Sequence, residues 1–112
     1  GKLRVYRYKD AMKYFLKNKV TPTGEYPSIV PNWDTTARLQ EKAVILHGVT
    51  PELFAEHIDE VFTSIKHKPN NEKIVYLKSW NEWAEGNYLE PDAENGTKYL
   101  EVLKNALIKH SK

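Results

Sequence analysis

Apolar residues recur with a helical period in several stretches of the chain. Residues 8–18 carry an apolar stripe between lysines, formed by Ala11, Met12, Phe15 and Leu16. Residues 96–109 carry a second stripe, formed by Tyr99, Leu100, Leu103 and Leu107. Both stretches are predicted to be amphipathic helices.

The clearest helix start lies between these two stretches. Thr50 is a good N-cap residue, Pro51 fits the first helical position, and Glu52 suits the positive end of the helix dipole. One apolar face then continues to about His67, formed by Leu53, Phe54, Ile58, Val61, Phe62 and Ile65. Because Pro-Asn-Asn at 69–71 breaks the pattern, we predict a helix that ends before it.

Shorter apolar runs between the helices are typical of strands. Tyr26 to Val30 is one extended run, and Lys73 to Trp80 is another with a continuously apolar middle, Ile74 to Leu77. A continuous run suits a strand that is buried on both sides, as in a parallel sheet. Ala43 to His47 fits a short strand or a buried connection, because periodicity does not separate the two.

The predicted order is α-β-α-β-α over a single segment, residues 1–112, which is typical of α/β proteins with a parallel sheet. In such sheets, functional residues gather where strands end and the following loops begin. Asn32-Trp33-Asp34 follows the first strand, and residues 81–92 follow the last one. We therefore expect both segments at the same edge of the sheet.

Composition narrows the class of protein. Apolar residues make up 40% and aromatic residues 12% of the 112 residues, which is enough for a hydrophobic core. The net charge of +2 identifies no partner, although residues 1–20 carry seven Lys or Arg against Asp10 alone. Such a basic end can bind nucleic acid, but it is more often the solvated face of a helix. We predict no nucleic-acid partner.

Several other kinds of site are not expected. The chain has no cysteine, which excludes disulfides and thiol nucleophiles and fits a cytoplasmic location. No run approaches the roughly 20 apolar residues of a membrane-spanning helix, so no integral membrane segment is predicted. The four histidines lack the spacing of metal ligands, and most lie on predicted helix surfaces. Glu90, Asp92 and Glu94 lack the EF-hand spacing, and a turn at Pro91 accounts for them. We predict no metal or other cofactor.

The stretch from Ser79 to Asp92 carries the most distinctive chemistry. Between Ser79 and Gly96 there are five acidic residues and no Lys or Arg, and the stretch includes Trp80, Asn81, Glu82, Trp83 and Glu85. Indole rings cover the apolar face of a sugar, and carboxylates handle protons or developing positive charge. If the strand alternation continues, Trp80 and Trp83 lie on opposite faces of the sheet, so the two rings cannot both face inwards. Aromatic and acidic residues in this pattern indicate a sugar site.

The spacing of Glu82 and Glu85 fits a catalytic pair. Residues three apart in a turn or a helical start lie on one face, about 5–6 Å apart at Cβ. Retaining glycosidases hold their two carboxyl groups about 5–5.5 Å apart. Spacing alone favours the plainer interpretation, in which Glu85 caps the helix or loop and Glu82 is merely solvated. Asn81 is suited to bind a substrate hydroxyl or to orient Glu82.

A second candidate segment has the same two interpretations. Trp33 and Asp34 fit sugar binding, but they also fit a core tryptophan and a turn cap. Arg38 fits an anionic sugar or a phosphate leaving group, and it also fits an ion pair with Asp34 or Glu82.

These residues resemble the WbsX-type glycosyltransferase family, also described as a glycoside hydrolase family ninety-nine-like domain. The family's Trp-Asn-Glu-Trp-Ala-Glu-Gly run stands at residues 80–86 and its Leu-Glu-Pro-Asp at 89–92. Gly96 and then Tyr99-Leu100 follow in the family's order.

The family's upstream Pro-x-Trp-Asp-Asn-Thr-x-Arg element stands at residues 31–38, with Thr35 where Asn is usual and Ala37 where Pro is common. The resemblance implies a TIM-like (β/α)8 barrel. It implies that this chain contributes the C-terminal βα units and that the remainder of the barrel is its partner. A complete barrel needs roughly 250 residues.

The related endo-α-mannosidases carry a similar Asn-Glu-Trp-x-Glu-Gly run, whose two glutamates are the catalytic pair. By that likeness, Glu82 acts as a base on the sugar's own 2-hydroxyl and produces an epoxide-like intermediate. Glu85 protonates the leaving oxygen and later deprotonates the attacking hydroxyl. The residue between them is His in those enzymes and Ala84 here. The implied substrate-binding residues are Trp33, Asp34, Arg38, Trp80, Asn81, Trp83 and Glu90.

We therefore expect part of an enzyme that transfers or hydrolyses glycosyl groups in bacterial polysaccharide biosynthesis, such as O-antigen or lipopolysaccharide assembly. The 112-residue chain alone is expected to be inactive. The alternative is a non-catalytic carbohydrate-binding module that uses Trp33, Trp80 and Trp83. A third possibility is a basic interaction domain, whose binding would fall steeply with salt.

Overall fold

Helices and short strands alternate in the computed structural model, which describes residues 3–15, 20–34, 39, 41, 43–78, 81–82, 87–88 and 96–111. The helices are α1 (Tyr8–Phe15), α2 (Pro51–Ile65) and α3 (Lys98–His110). The strands are β1 (Arg4–Arg7), β2 (Ser28–Ile29), β3 (Val44–His47), β4 (Tyr76–Leu77), β5 (Asn81–Glu82) and β6 (Asn87–Tyr88). A short 3-10 helix lies at Asn70–Glu72. The described chain is therefore a mixed α/β structure, and the three predicted helices are confirmed.

Helix α2 begins where its sequence predicts. The backbone of Thr50 is extended, and its Oγ1 accepts a hydrogen bond of 3.1 Å from the Leu53 amide. Pro51 occupies the start of the helix, where its missing N–H costs no hydrogen bond. Gly48, between β3 and this cap, has a φ of 79°, a conformation that favours glycine.

The strands pair mainly in parallel. β1 pairs with β3, from Arg4 opposite Val44 to Arg7 opposite His47. β2 pairs with β4 in parallel, with Ile29 opposite Leu77. β5 and β6 pair antiparallel. Of the run from Ala43 to His47, the last four residues are thus a strand, Val44–His47.

The hydrophobic core has two parts that meet at α2. In the first part, Phe54, Ile58 and Val61 of α2 pack against Ile29 of β2 and Tyr99 of α3. The rings of Phe54 and Tyr99 lie with their centroids 5.3 Å apart. The second part consists of Tyr8 and Met12 of α1 with Val30, and Leu53 packs against it. Helix α2 therefore packs against both α1 and α3.

The predicted element order is incomplete, because β1 precedes α1 and because β5 and β6 are additional strands. All four residues of β1 are exposed, so no alternation of buried and solvated positions marks this strand in the sequence. Its conformation depends on backbone pairing with β3. Local patterns do not contain that information.

The prediction that Ile74 to Leu77 is buried on both sides is wrong for the described chain. Ile74 and Tyr76 are exposed, whereas Val75 and Leu77 are half-buried. The helices pack on one face of β4, and Val75 and Leu77 belong to that packed face. The apolar run is therefore divided between a covered face and an open face.

Candidate functional site

The segments that follow β2 and β4 leave the sheet at one edge. The register of the parallel pair is continued by a hydrogen bond of 2.9 Å from the Lys78 amide to the Ile29 carbonyl. The Tyr76 amide donates to the Pro27 carbonyl at 3.0 Å one step earlier. The sheet therefore brings the end of β4 beside the segment that leads to Trp33, which is the arrangement expected from the sequence.

Trp33 lies at this edge, between β3 and the end of β4. The Nζ atom of Lys78 is 5.4 Å from the centroid of the indole ring. On the other side, the Leu46 amide donates to the Trp33 carbonyl at 2.8 Å, and Asp34 forms an antiparallel bridge with Ile45. Trp33 is half-buried and Asp34 is exposed. The ring is thus held in position while part of it remains accessible to a ligand.

Lys78 contacts the candidate site residue Trp33, and sequence reasoning did not identify it. It is the last residue before the acidic Ser79–Asp92 stretch, which contains no cation of its own. A lysine over an indole face is stabilised by about 0.5–1 kcal/mol at an exposed site. This contact depends on the register of β4 against β2. The available signal in the sequence was the position of Lys78 directly before the acidic stretch. The contact places a positive charge beside the predicted sugar-stacking ring.

The two short strands that follow β4 along the chain, β5 and β6, are antiparallel. Asn81 pairs with Tyr88 and Glu82 pairs with Asn87 in an antiparallel ladder. The backbone of Glu82 is therefore extended, and Glu85 lies outside the described residues, so the spacing argument for a turn is not tested. The distance between the carboxyl groups of Glu82 and Glu85 stays a prediction.

Most of the predicted site residues lie outside the described part of the chain. These residues are Arg38, Trp80, Trp83, Glu85 and Glu90. Asn81 and Glu82 are placed by their backbone alone. Of the sequence-predicted site residues, Trp33 and Asp34 have described side chains, and the structure brings Trp33 together with Lys78.

Two buried polar side chains contact Val30, which precedes the Trp33 segment. The Tyr8 hydroxyl donates to the Val30 carbonyl at 2.6 Å, and His57 Nε2 accepts from the Val30 amide at 3.2 Å. Burial lowers the pKa of His57 to about 4. Burial, and then the charge of Tyr99, raises the pKa of Tyr8.

His57 is an exception to the prediction that most of the histidines lie on helix surfaces. His57 is 1% exposed. A signal for this was present in the sequence, because His57 lies three residues after Phe54 and four before Val61 on the apolar face of α2. His47, at the end of β3, is exposed.

A separate apolar groove of about 450 Å³ lies between α2, α3 and β4. Its lining includes Ile29, Phe62, Leu77 and Leu103, and it includes neither Trp33 nor Asp34, the two predicted site residues whose side chains are described. The groove therefore belongs to the helix-packing side of the sheet and not to the edge that carries Trp33.

Among the described residues, no three His, Asp or Glu side chains gather closely enough to hold a metal ion. No helix in the same residues is both long and apolar enough to cross a bilayer.

The sequence has relatives in a named family. The sequence profile of the family described as Glycosyltransferase WbsX matches residues 1–103. Two curated relatives, each named Uncharacterized protein WxcX and found in two strains of Xanthomonas campestris pv. campestris, are 34% identical over 86 residues. The match covers 73% of this chain, and the chain spans 12% of the length of those relatives. No solved structure matches the chain. The chain belongs to the Glycosyltransferase WbsX family.

Proposed function

We propose that the chain forms one wall of the active site of a carbohydrate-active enzyme that transfers or hydrolyses glycosyl groups. Membership of a glycosyltransferase family supports an enzyme whose substrate is a glycan. One structural observation carries the proposal to particular residues. The parallel β2–β4 pair brings Trp33 against Lys78, the residue that leads directly into the Trp80–Glu85 run.

The described edge has the chemistry that a sugar site needs. A half-buried indole offers a flat apolar surface for a sugar ring, and its position is set by contacts on both sides. Lys78 offers an ammonium group that can donate to a sugar hydroxyl or to an anionic leaving group. Asp34 is exposed beside them and can accept from hydroxyls. Asn81, Arg38 and Glu90 remain proposed substrate contacts.

Glu82 and Glu85 are the proposed catalytic residues. In the proposed first step, Glu82 removes the proton of the sugar 2-hydroxyl, and the resulting oxygen attacks the anomeric carbon. Glu85 donates a proton to the leaving oxygen as its bond to that carbon breaks. In the second step, the attacking hydroxyl gives its proton to Glu85 as its oxygen bonds to the anomeric carbon. The bond between that carbon and the 2-oxygen breaks, and Glu82 returns its proton to the 2-oxygen. Two inversions give net retention, and attack by water or by a sugar decides between hydrolysis and transfer.

The larger fold is part of the same proposal. Val5, Tyr6 and Tyr76 are each more than half exposed, although they lie in paired strands. Open apolar strand faces of this kind are suited to further packing. We propose that the remaining strands and helices of a (β/α)8 barrel cover them in the longer protein. Bacterial surface-polysaccharide assembly and a cytoplasmic location remain proposals as well.

The experiment is a turnover assay on a longer family protein that carries this chain, with fluorogenic α-mannosides and other fluorogenic glycosides, with and without sugar acceptors. Glu82→Gln and Glu85→Gln are expected to lower turnover by about 10²–10⁴-fold, with glycan binding retained. Glu101→Gln, in the exposed first turn of α3, is the matched control and should retain wild-type turnover.

Two results would contradict the proposal. Wild-type rates in both glutamine variants would remove the catalytic assignment. Glycan binding without turnover in any longer form would support the carbohydrate-binding module in place of an enzyme. The 112-residue chain alone is expected to show no turnover.

A further inference from the structure

Val30 receives side-chain hydrogen bonds on both of its backbone polar groups. Tyr8 of α1 donates to its carbonyl oxygen at 2.6 Å, and His57 of α2 accepts from its amide at 3.2 Å. Both side chains are essentially inaccessible to water, at 0% and 1% exposure. Two helices that are distant in sequence therefore converge on a single peptide position.

This position lies between the sheet and the proposed sugar-binding ring. The β2–β4 backbone pairing reaches Ile29, whose carbonyl accepts from Lys78. Val30 follows, and Pro31 after it is fully buried with a φ restricted by its ring. Trp33 is three residues beyond Val30. The side-chain contacts to Val30 are therefore made at the point where the chain leaves the sheet towards Trp33.

The geometry requires a neutral His57. Because Nε2 accepts a hydrogen bond, the proton of the neutral ring lies on Nδ1, and within the described residues Nδ1 has no hydrogen-bond partner. A second proton on Nε2 would point at the Val30 N–H. The ring lies edge-on to Tyr8, with centroids 6.2 Å apart.

Among the described residues, no carboxylate is hydrogen-bonded to the His57 ring, and burial lowers the pKa of His57. The charged and titratable groups that share its small pocket of about 160 Å³ come from α1 and α2, and they are Tyr8, Lys9, Lys13, Glu56 and Glu60. Opposite charges from the two helices face this pocket. Protonation of His57 therefore has to overcome both burial and the loss of the Val30 hydrogen bond.

We propose that Tyr8 and His57 are positioning residues, which hold Val30 and thereby place Trp33 against the glycan. This inference rests on the proposed function, because it assigns Trp33 to the substrate site. Neither residue touches the sugar. Removing either contact is expected to weaken glycan binding more than it changes the rate of the chemical step.

The first experiment follows the backbone and the ring by NMR in the 112-residue chain. In His57→Leu and Tyr8→Phe, Val30 amide exchange is expected to accelerate at least about tenfold, and the contact between the Trp33 ring and the Lys78 side chain should weaken. His57→Gln keeps an acceptor near the Nε2 position and should retain both signals. The exposed residues His67→Gln and Tyr14→Phe are the matched controls.

The pH dependence separates positioning from general packing. In the wild type, Val30 protection is expected to decline as the pH falls towards 4, whereas His57→Gln should keep its protection over the same range. Val61→Ala removes buried apolar volume from α2 and keeps His57, so it is expected to lower stability at every pH while Val30 protection still declines towards pH 4. An identical pH response in wild type and His57→Gln would overturn the proposal.

The second experiment measures kcat and KM for a fluorogenic α-mannoside in the longer family protein. His57→Leu is expected to raise KM about tenfold with kcat changed less than threefold, and His57→Gln should restore KM.

An equal rise in KM in Val61→Ala would attribute the effect to stability and would overturn positioning. Unchanged KM in His57→Leu, together with inactive Glu82→Gln, would reject positioning and leave the proposed function standing. Full activity of Glu82→Gln and Glu85→Gln would reject the proposed function, while the NMR response of Trp33 still decides whether Val30 positions the ring.

Discussion

Helix α2 is attached to its two neighbouring helices by contacts of different physical character. Towards α1, the contact is buried and neutral, because His57 and Tyr8 share the peptide groups of Val30. Towards α3, the polar contact is exposed and charged, because Asp59 Oδ1 lies 2.8 Å from both Lys109 Nζ and His110 Nε2. Buried hydrogen bonds are costly to leave unmade, whereas exposed ion pairs are worth little.

The two contacts also differ in the pH range over which they are lost. The His57 contact requires a neutral ring, so it is lost as the ring takes up a proton. The hydrogen bonds from Lys109 and His110 lower the pKa of Asp59 below its ordinary value of 3.8. The contribution of Asp59 is therefore present above pH 3.8 and is lost as the pH falls further. Acid is expected to affect the α1 side first and the α3 side second.

The largest expected effect comes from acid titration of the buried contact. The pKa of His57 is about 4 in the folded chain against an ordinary 6.5, so the unfolded chain binds more protons between these values. Stability is expected to fall by roughly 3 kcal/mol between pH 6.5 and 4. Urea unfolding at several pH values measures the slope of the unfolding free energy against pH. His57→Gln should remove most of it and His67→Gln should not, so equal slopes in the two variants would contradict the assignment.

Tyr8→Phe tests the other half of the buried contact at constant pH. The variant leaves the Val30 carbonyl without its donor in a buried site, and we expect a loss of about 1–2 kcal/mol in unfolding free energy. Tyr14→Phe, on the same helix and 77% exposed, should change stability very little. Chemical denaturation of the two variants compares them directly, and equal stabilities would show that the hydrogen bond contributes nothing.

Thr50→Ala measures the local stability of α2 independently of both neighbours. It removes the side chain that accepts from the Leu53 amide, which typically costs about 1 kcal/mol. Thr63→Ala, an exposed position within the helix, should be neutral or slightly stabilising, because alanine has the higher helix propensity. If both variants unfold at the same urea concentration as the wild type, the cap is not important to the fold.

The smallest effect is expected on the exposed side. Asp59→Asn should cost no more than about 1 kcal/mol at low salt, and the difference should shrink in 1 M NaCl, where the Debye length is about 3 Å. Lys104→Gln, an exposed lysine on α3, is the charge-changing control and should show a smaller salt-dependent difference. A large, salt-independent loss in Asp59→Asn would reverse the comparison between the two sides of α2.

The sequence predicts the parts of the fold that depend on local interactions. The Thr50-Pro51 start and the apolar face of α2 were identifiable because capping and helical period act within a few residues. The convergence of Trp33 with the end of β4 was also expected, because the ends of parallel strands meet at one edge. The catalytic roles of Glu82 and Glu85 remain a prediction from the family resemblance.

Other features of the site required the three-dimensional arrangement. The Lys78 ammonium reaches Trp33 because β4 has a particular register against β2, and no local pattern encodes that register. His57 lies on an apolar helix face, but its partner is a peptide 27 residues away. These contacts depend on pairs of segments that are far apart in the chain.

The sequence by itself determined the three helices, the cap of α2, the α/β class and the family of this chain. Helix formation and family motifs depend on residues that are close together in the sequence, so they can be recognised without the tertiary structure. The tertiary structure alone decided that β1 is a strand, that one face of β4 stays open and that Tyr8 and His57 meet at Val30. Backbone pairing and burial arise between distant segments, and their free energy is gained only when those segments come together.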